Sequence, residues 1–230
     1  MTPAFSAAKR PHLQFILDGA ALDAAGAAAL ARAAVQGGVD SIQVRAKQMG
    51  AGALLELVLA VIDAVRSENP GALVLVNERA DVALLAGAAG VHLPEASFGP
   101  QWAAELKRLA APATSSSFVV GRSIHGLAGL AAPGTGRLDY LMFGHVFATE
   151  SKPGLPPRGL DSLARVVRAS PVPVLAVGGI EAENAPAAIE AGAAGVAVIS
   201  AIRDAPDPAE AARALRRAMD AAREGEVPCA

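Results

Sequence analysis

Short apolar runs separated by longer amphipathic stretches dominate the chain. The runs fall at 13–18 (LQFILD), 39–45 (VDSIQVR), 72–77 (ALVLVN), 90–93 (GVHL), 117–122 (SFVVGR), 139–143 (DYLMF), 172–177 (VPVLAV) and 195–199 (GVAVI). They are nearly continuous in hydrophobicity rather than alternating, which predicts strands covered on both faces, as in a parallel sheet. Between them, residues 22–36 set Leu22, Leu30 and Val35 among alanines and stop at Gly37-Gly38, a helix C-terminal signal. Residues 52–67 place Leu54, Leu55, Val58, Val61, Ile62 and Val65 at spacings of three and four, the stripe of a helix packed on a core. Further helices are expected over 79–87, 100–110, 160–169, 181–191 and 207–223. The stretch 126–136, GLAGLAAPGTG, is a poor helix because glycines and a proline interrupt it.

Eight strands alternating with crossovers leave about 29 residues per unit, the spacing of a compact (β/α)8 TIM barrel. Two near-copies, LAGAAGVHLP at 85–94 and EAGAAGVAVIS at 190–200, suit a repeated βα unit. The expectation is one barrel domain over 1–230 with a flexible N-terminus (1–11) and C-terminal tail (224–230). A doubly wound open sheet is the alternative.

Composition narrows the function. A chain 53% hydrophobic and 230 residues long can bury a full core without staples. A net charge of −2, scattered cations and 3% aromatics argue against nucleic acid as a partner. The single cysteine, Cys229, builds no disulfide framework. No signal-peptide core and no window of ~18 apolar residues occurs, so a soluble cytoplasmic protein with no membrane partner is expected.

In a barrel, catalytic groups come from the C-terminal ends of several strands. DYLMFGHVFATESKPG (139–154) delivers His145 to such an end, where an imidazole suits proton transfer near neutral pH; a hydrogen-bonded supporting histidine is the alternative. Gly178 and Gly179 in AVGGI, with Ile199 and Ser200 in VISAI, occupy the loops after strands seven and eight, the usual barrel phosphate site. Gln43, Arg45 and Lys47 alternate along QVRAK and so share one face, offering cations to a phosphate or carboxylate. Asn77 ends strand three, Ser123 sits in GRSIHGL, and Lys152 lies in ATESKPGLPPRG (148–159), a loop able to close over an anion. These complete the substrate-binding set. His92 reads as a satisfied core residue, His12 as structural, and His125 as a possible mouth residue. Strand-end carboxylates are few (Asp18, Glu78, Glu95), and HExxH, CxxC, Walker and GxGxxG motifs are absent. Neither a metal site nor a nucleotide cofactor is expected.

SIQVRAK, LVNERADVALLAGAAGVHLPEASF, GRSIHGL, DYLMFGHVFATESKPG and PVLAVGGIEAENAPAAIEAGAAGVAVIS, in that order over residues 13–203, resemble the thiamine phosphate synthase-like barrels. The resemblance implies for the synthases a Mg²⁺ held by two aspartates, at positions where this chain has Glu78 and Ser97. Serine supplies no anionic ligand to a hard cation. Where the synthases read Gly-Pro, this chain reads Gly144-His145. LPEASF, GRSIHGL and FGHVF resemble instead the thiazole tautomerase (TenI-type) branch. That likeness implies a homodimeric isomerase without cofactor. It would aromatise a thiazole carboxylate phosphate by carrying a proton from ring C2 to the exocyclic carbon, with His145 as acid and base. Gly178, Gly179 and Ser200 would hold the phosphate, and Arg45, Lys47 or Lys152 the carboxylate. Two alternatives stand beside it. One is a thiamine phosphate synthase with an altered metal shell, in which Gln43, Arg45, Asn77 and Lys152 grip a pyrimidine pyrophosphate. The other is a non-catalytic binder of a thiazole phosphate.

Overall fold

The computed structural model describes residues 5, 10–19, 22–97, 99–111 and 118–224. The ends expected to be flexible lie largely outside that range, as do Ser117, Phe98 and Cys229. Eight strands, β1 (His12–Asp18), β2 (Ser41–Arg45), β3 (Leu73–Asn77), β4 (Gly90–Leu93), β5 (Val119–Ile124), β6 (Tyr140–Gly144), β7 (Val174–Val177) and β8 (Gly195–Val198), pair in parallel with their sequence neighbours. β1 also pairs with β8, from His12↔Gly195 to Phe15↔Val198, closing a (β/α)8 barrel and excluding the open sheet. The outer layer comprises α1 (Ala24–Gln36), α2 (Ala51–Glu68), α3 (Ala80–Ala86), α4 (Ala103–Ala110), α5 (Leu160–Ala169), α6 (Ala185–Glu190), α7 (Ser200–Arg203) and α8 (Pro208–Glu224).

The local causes are visible. Asp23 caps α1 by accepting from the Gly26 amide, and α2 buries Leu54, Leu57, Val58, Val61, Ile62 and Val65 along one stripe. α4 is shorter than expected because Pro100–Trp102 forms a 3₁₀ turn ahead of it. Residues 126–136 give two 3₁₀ turns, Leu127–Ala131 and Thr135–Arg137, in place of a helix. β5 runs to Ile124, two residues past its apolar run, because Arg122 and Ser123 continue the ladder opposite Leu141 and Met142.

Alternation along each strand divides the core in two. Leu13, Phe15, Leu17, Ile42 and Val44 face the helices, while Ile16, Leu75, Val119, Tyr140, Met142 and Leu175 fill the barrel. Phe5 joins the inner cluster, stacked on Tyr140 with ring centroids 4.3 Å apart, and so stops the lower end of the barrel. Gly121 makes room for this arrangement: a Cβ there would lie 2.1 Å from the Tyr140 ring. At the same end Arg216 of α8 donates to Asp40 and to the Pro11 carbonyl, while burial pulls its guanidinium pKa down. Among the described residues no helix is long and apolar enough to cross a membrane.

Candidate active site at the barrel mouth

Inward-facing residues at the upper strand ends enclose a cavity of about 280 Å³. Its floor is apolar, made by Ile16, Met142 and Ala197. Around it stand Gln43 and Arg45 from β2, Asn77 from β3, His92 from β4 and Ser123 from β5. Gln43 is buried, and its Nε2 has no partner among the described residues, a donor left for a ligand. Arg45 Nη1 donates to Asp18 at 2.8 Å, which fixes the guanidinium at the rim. Lys152 and Arg203 add two further cations, and Arg203 is held by Asp204 through Nε–Oδ1 (2.7 Å) and Nη2–Oδ2 (2.8 Å). That hydrogen bond is the main reason the Arg203 pKa is raised.

Gly178 and Gly179 form the turn after β7 with φ of +96° and +64°, values that favour glycine. The close quarters also demand glycine. A Cβ on Gly178 would meet the His145 Cβ at 2.4 Å, and one on Gly179 the Ala148 carbonyl oxygen at 2.2 Å. Asn184 pins the turn, donating to the Gly179 carbonyl (2.8 Å) and accepting from the Glu181 amide (2.9 Å). Ile199 and Ser200, just past the neighbouring strand β8, line the same cavity beside this turn. Backbone amides in such a concavity, with cations nearby, suit an anion.

Beneath the mouth runs a polar chain. Ser123 Oγ lies 2.8 Å from His92 Nε2, His92 Nδ1 lies 2.8 Å from the Tyr140 hydroxyl, and Gln14 Nε2 lies 3.4 Å from that hydroxyl. Burial pushes the His92 imidazole down to about 3, so it is neutral at physiological pH, and pushes the Tyr140 phenol up. His92 is therefore a satisfied core residue that also touches the cavity. His125 donates from Nδ1 to the Gly144 carbonyl (2.9 Å) at the cavity edge, and His12 Nε2 pairs with Ser41 Oγ (2.8 Å) far below.

Most residues expected at the site converge there: Gln43, Arg45, Asn77, Ser123, Lys152, Gly178, Gly179, Ile199 and Ser200 all line the one cavity. Lys47 does not. β2 ends at Arg45, the chain turns, and Lys47 is left exposed in solvent. His145 does not line it either. Met142 and Gly144 face the mouth, so Phe143 and His145, one step out of phase, face the helices. His145 is 5% exposed and lines a separate cavity of about 490 Å³ beside α5, with Nε2 3.3 Å from the Leu155 carbonyl. Arg203 was not anticipated; its signal was a cation three residues after Ser200, on the same helical turn.

The donor set does not fit the Mg²⁺ that the synthase likeness implies. Among the described residues Asp18 is the one carboxylate lining the cavity, and it is engaged by Arg45. Among the described residues no group of three His, Cys, Asp or Glu is placed to hold a metal ion.

Fold and site together define a (β/α)8 barrel with a cationic, anion-receiving mouth. The chain belongs to the family described as thiamine monophosphate synthase, whose profile matches residues 13–202. It is 43% identical over 196 residues to the thiamine-phosphate synthase of Anaeromyxobacter dehalogenans (strain 2CP-C), covering 85% of this chain and 84% of that protein. It is also 43% identical, over 81% of this chain and 84% of the relative, to a putative thiamine-phosphate synthase of Geobacter sulfurreducens. The solved thiamine phosphate pyrophosphorylase from Pyrococcus furiosus superposes with a TM-score of 0.76 at 29% identity, over 92% of this chain and 96% of that one. These likenesses overturn the expectation of a tautomerase-branch isomerase, which rested on FGHVF, LPEASF and GRSIHGL. The outward placement of His145 is the physical counterpart of that correction.

Proposed function

We propose that this protein is a transferase of the thiamine-phosphate synthase type, coupling a pyrimidine pyrophosphate to a thiazole phosphate. In that reaction the thiazole nitrogen forms a bond to the pyrimidine's exocyclic methylene carbon as the carbon–oxygen bond to pyrophosphate breaks. The electron pair leaves with the pyrophosphate, so no oxidant or reductant is needed. The observation that carries the reading is 43% identity to a synthase across more than four-fifths of both chains. The mouth supports it with three cations, Arg45, Lys152 and Arg203, around an apolar floor.

In this reading Gly178, Gly179, Ile199 and Ser200 cradle the thiazole phosphate. Arg45, Lys152 and Arg203 neutralise the pyrophosphate as it leaves, and Gln43, Asn77 and Ser123 hydrogen-bond the heterocycles. Fixed cations aimed at developing charge lower a barrier without reorganising. The same reading takes the protein as a soluble, cytoplasmic homodimer acting on small phosphorylated molecules. The test is to mix both substrates in Mg²⁺-containing buffer and follow thiamine phosphate by chromatography. Turnover that falls about 100-fold in Arg45→Gln supports the assignment. Absence of product from the unaltered protein refutes it.

A further inference from the structure

The side chains below Ser123 have no direct part in the reaction just described, yet they form a continuous hydrogen-bonded chain inside the barrel. Gln14, Tyr140 and His92 are all buried, and Phe5 closes over Tyr140 from below. Protons can run along this chain in two directions. In one, Gln14 Nε2–H donates to the Tyr140 oxygen, Tyr140 O–H donates to His92 Nδ1, and His92 Nε2–H donates to Ser123 Oγ. In the other, Ser123 O–H donates to His92 Nε2 and His92 Nδ1–H donates to the Tyr140 oxygen. The Tyr140 proton then has no acceptor among the described residues, because the Gln14 amide presents its NH₂ to the same oxygen. Turning that amide over would pair Gln14 Oε1 but leave both of the amide's N–H donors unmet in the barrel interior, where the present placement leaves one N–H and the carbonyl. The first direction leaves one buried N–H unmet rather than two, and is favoured because an orphaned N–H is tolerated less than an under-satisfied carbonyl. It also occupies Ser123 Oγ as an acceptor, which leaves its own proton pointing to the cavity.

We propose that Tyr140 and His92 are positioning residues that hold the Ser123 hydroxyl as a fixed hydrogen-bond donor to the bound substrate. The ligand atom it meets is therefore an acceptor, such as a ring nitrogen or a phosphoryl oxygen. The inference rests on the mouth being the substrate site, but the state of the chain itself is readable without substrate. Neutral His92, held so by burial, is compatible with a single ring proton.

The test has two arms on the full-length protein. Long-range ¹H–¹⁵N correlation spectra are expected to show His92 as the Nε2–H tautomer, unchanged between pH 5.5 and 8. An Nδ1–H tautomer, or a ring that titrates in that range, overturns the proposal. In the second arm, Tyr140→Phe removes the donor to His92 Nδ1 and is expected to lower kcat/KM roughly tenfold, the scale of one hydrogen bond to substrate. Ser123→Ala should cost about as much, and the double variant little more than either, since both remove one oriented donor. Ser123→Thr, which keeps the hydroxyl, should retain most activity. Losses in Tyr140→Phe and Ser123→Ala that simply multiply overturn the relay. If Tyr140→Phe does not fold, the tautomer of the unaltered protein still decides. A correct tautomer in a protein that makes no thiamine phosphate leaves this inference standing and sinks the functional reading instead.

Discussion

Gly178 and His145 sit back to back, and the pair shows how tightly the anion cradle is built. A methyl group on Gly178 would lie 2.4 Å from the His145 Cβ, on a backbone already at φ +96°. Gly178→Ala is therefore expected to destabilise the fold by about 1–3 kcal/mol and to weaken binding of inorganic phosphate at least roughly tenfold. Thermal denaturation and a phosphate titration read the two effects separately; wild-type affinity in this variant would remove the turn from the site. His145 also marks where sequence reasoning stops at this scale. Its position just past a strand is plain from DYLMFG, but its direction depends on phase, and one residue of register reverses the face. Lys47 failed for a related reason: alternation with Gln43 and Arg45 holds only while the strand lasts, and β2 ends at Arg45. Gln43, Arg45 and Asn77 were legible because they lie within or at the very end of regular strands.

Among the elements, the contact that closes the helical layer joins α1 to α8. A Cβ on Gly37, the residue ending α1, would come within 2.4 Å of both the Ala209 carbonyl oxygen and the Ala212 Cβ. Neither neighbour is a flexible side-chain tip, so Gly37→Ala should push the last helix outward. The expected cost is about 1–3 kcal/mol in a urea melt, with the proposed synthase reaction little altered at low temperature, because the contact is at the far end from the mouth. A neutral substitution would mean that α8 shifts freely. All eight strands could be found from their continuous apolar runs, since burial on both faces leaves an unmistakable composition. Elements without periodicity were harder. The four residues of α7 are too few to show a stripe, and the 3₁₀ turns of 126–136 arise from glycines that weaken a helix without naming a substitute.

For the molecule as a whole, His92 ties stability to acidity. Burial holds its folded-state pKa at about 3, below the 6.5 of an exposed imidazole. Between those values the unfolded chain binds a proton that the native protein refuses, so stability rises with pH through this window and falls as acid is added. The loss should begin below about pH 6.5 and amount to several kcal/mol by pH 4, and His92→Gln should flatten that part of the profile. Equal slopes for the two proteins in denaturant titrations at pH 6.5 and pH 4.5 would show that other groups set the acid limit. The stacked Phe5 and Tyr140 rings carry a kinetic consequence as well. With its base stoppered, the barrel is a blind well, and both reactants of the proposed coupling would share one doorway. Whichever is seated deeper must arrive first, and the portion of product left in its place must be the last to depart.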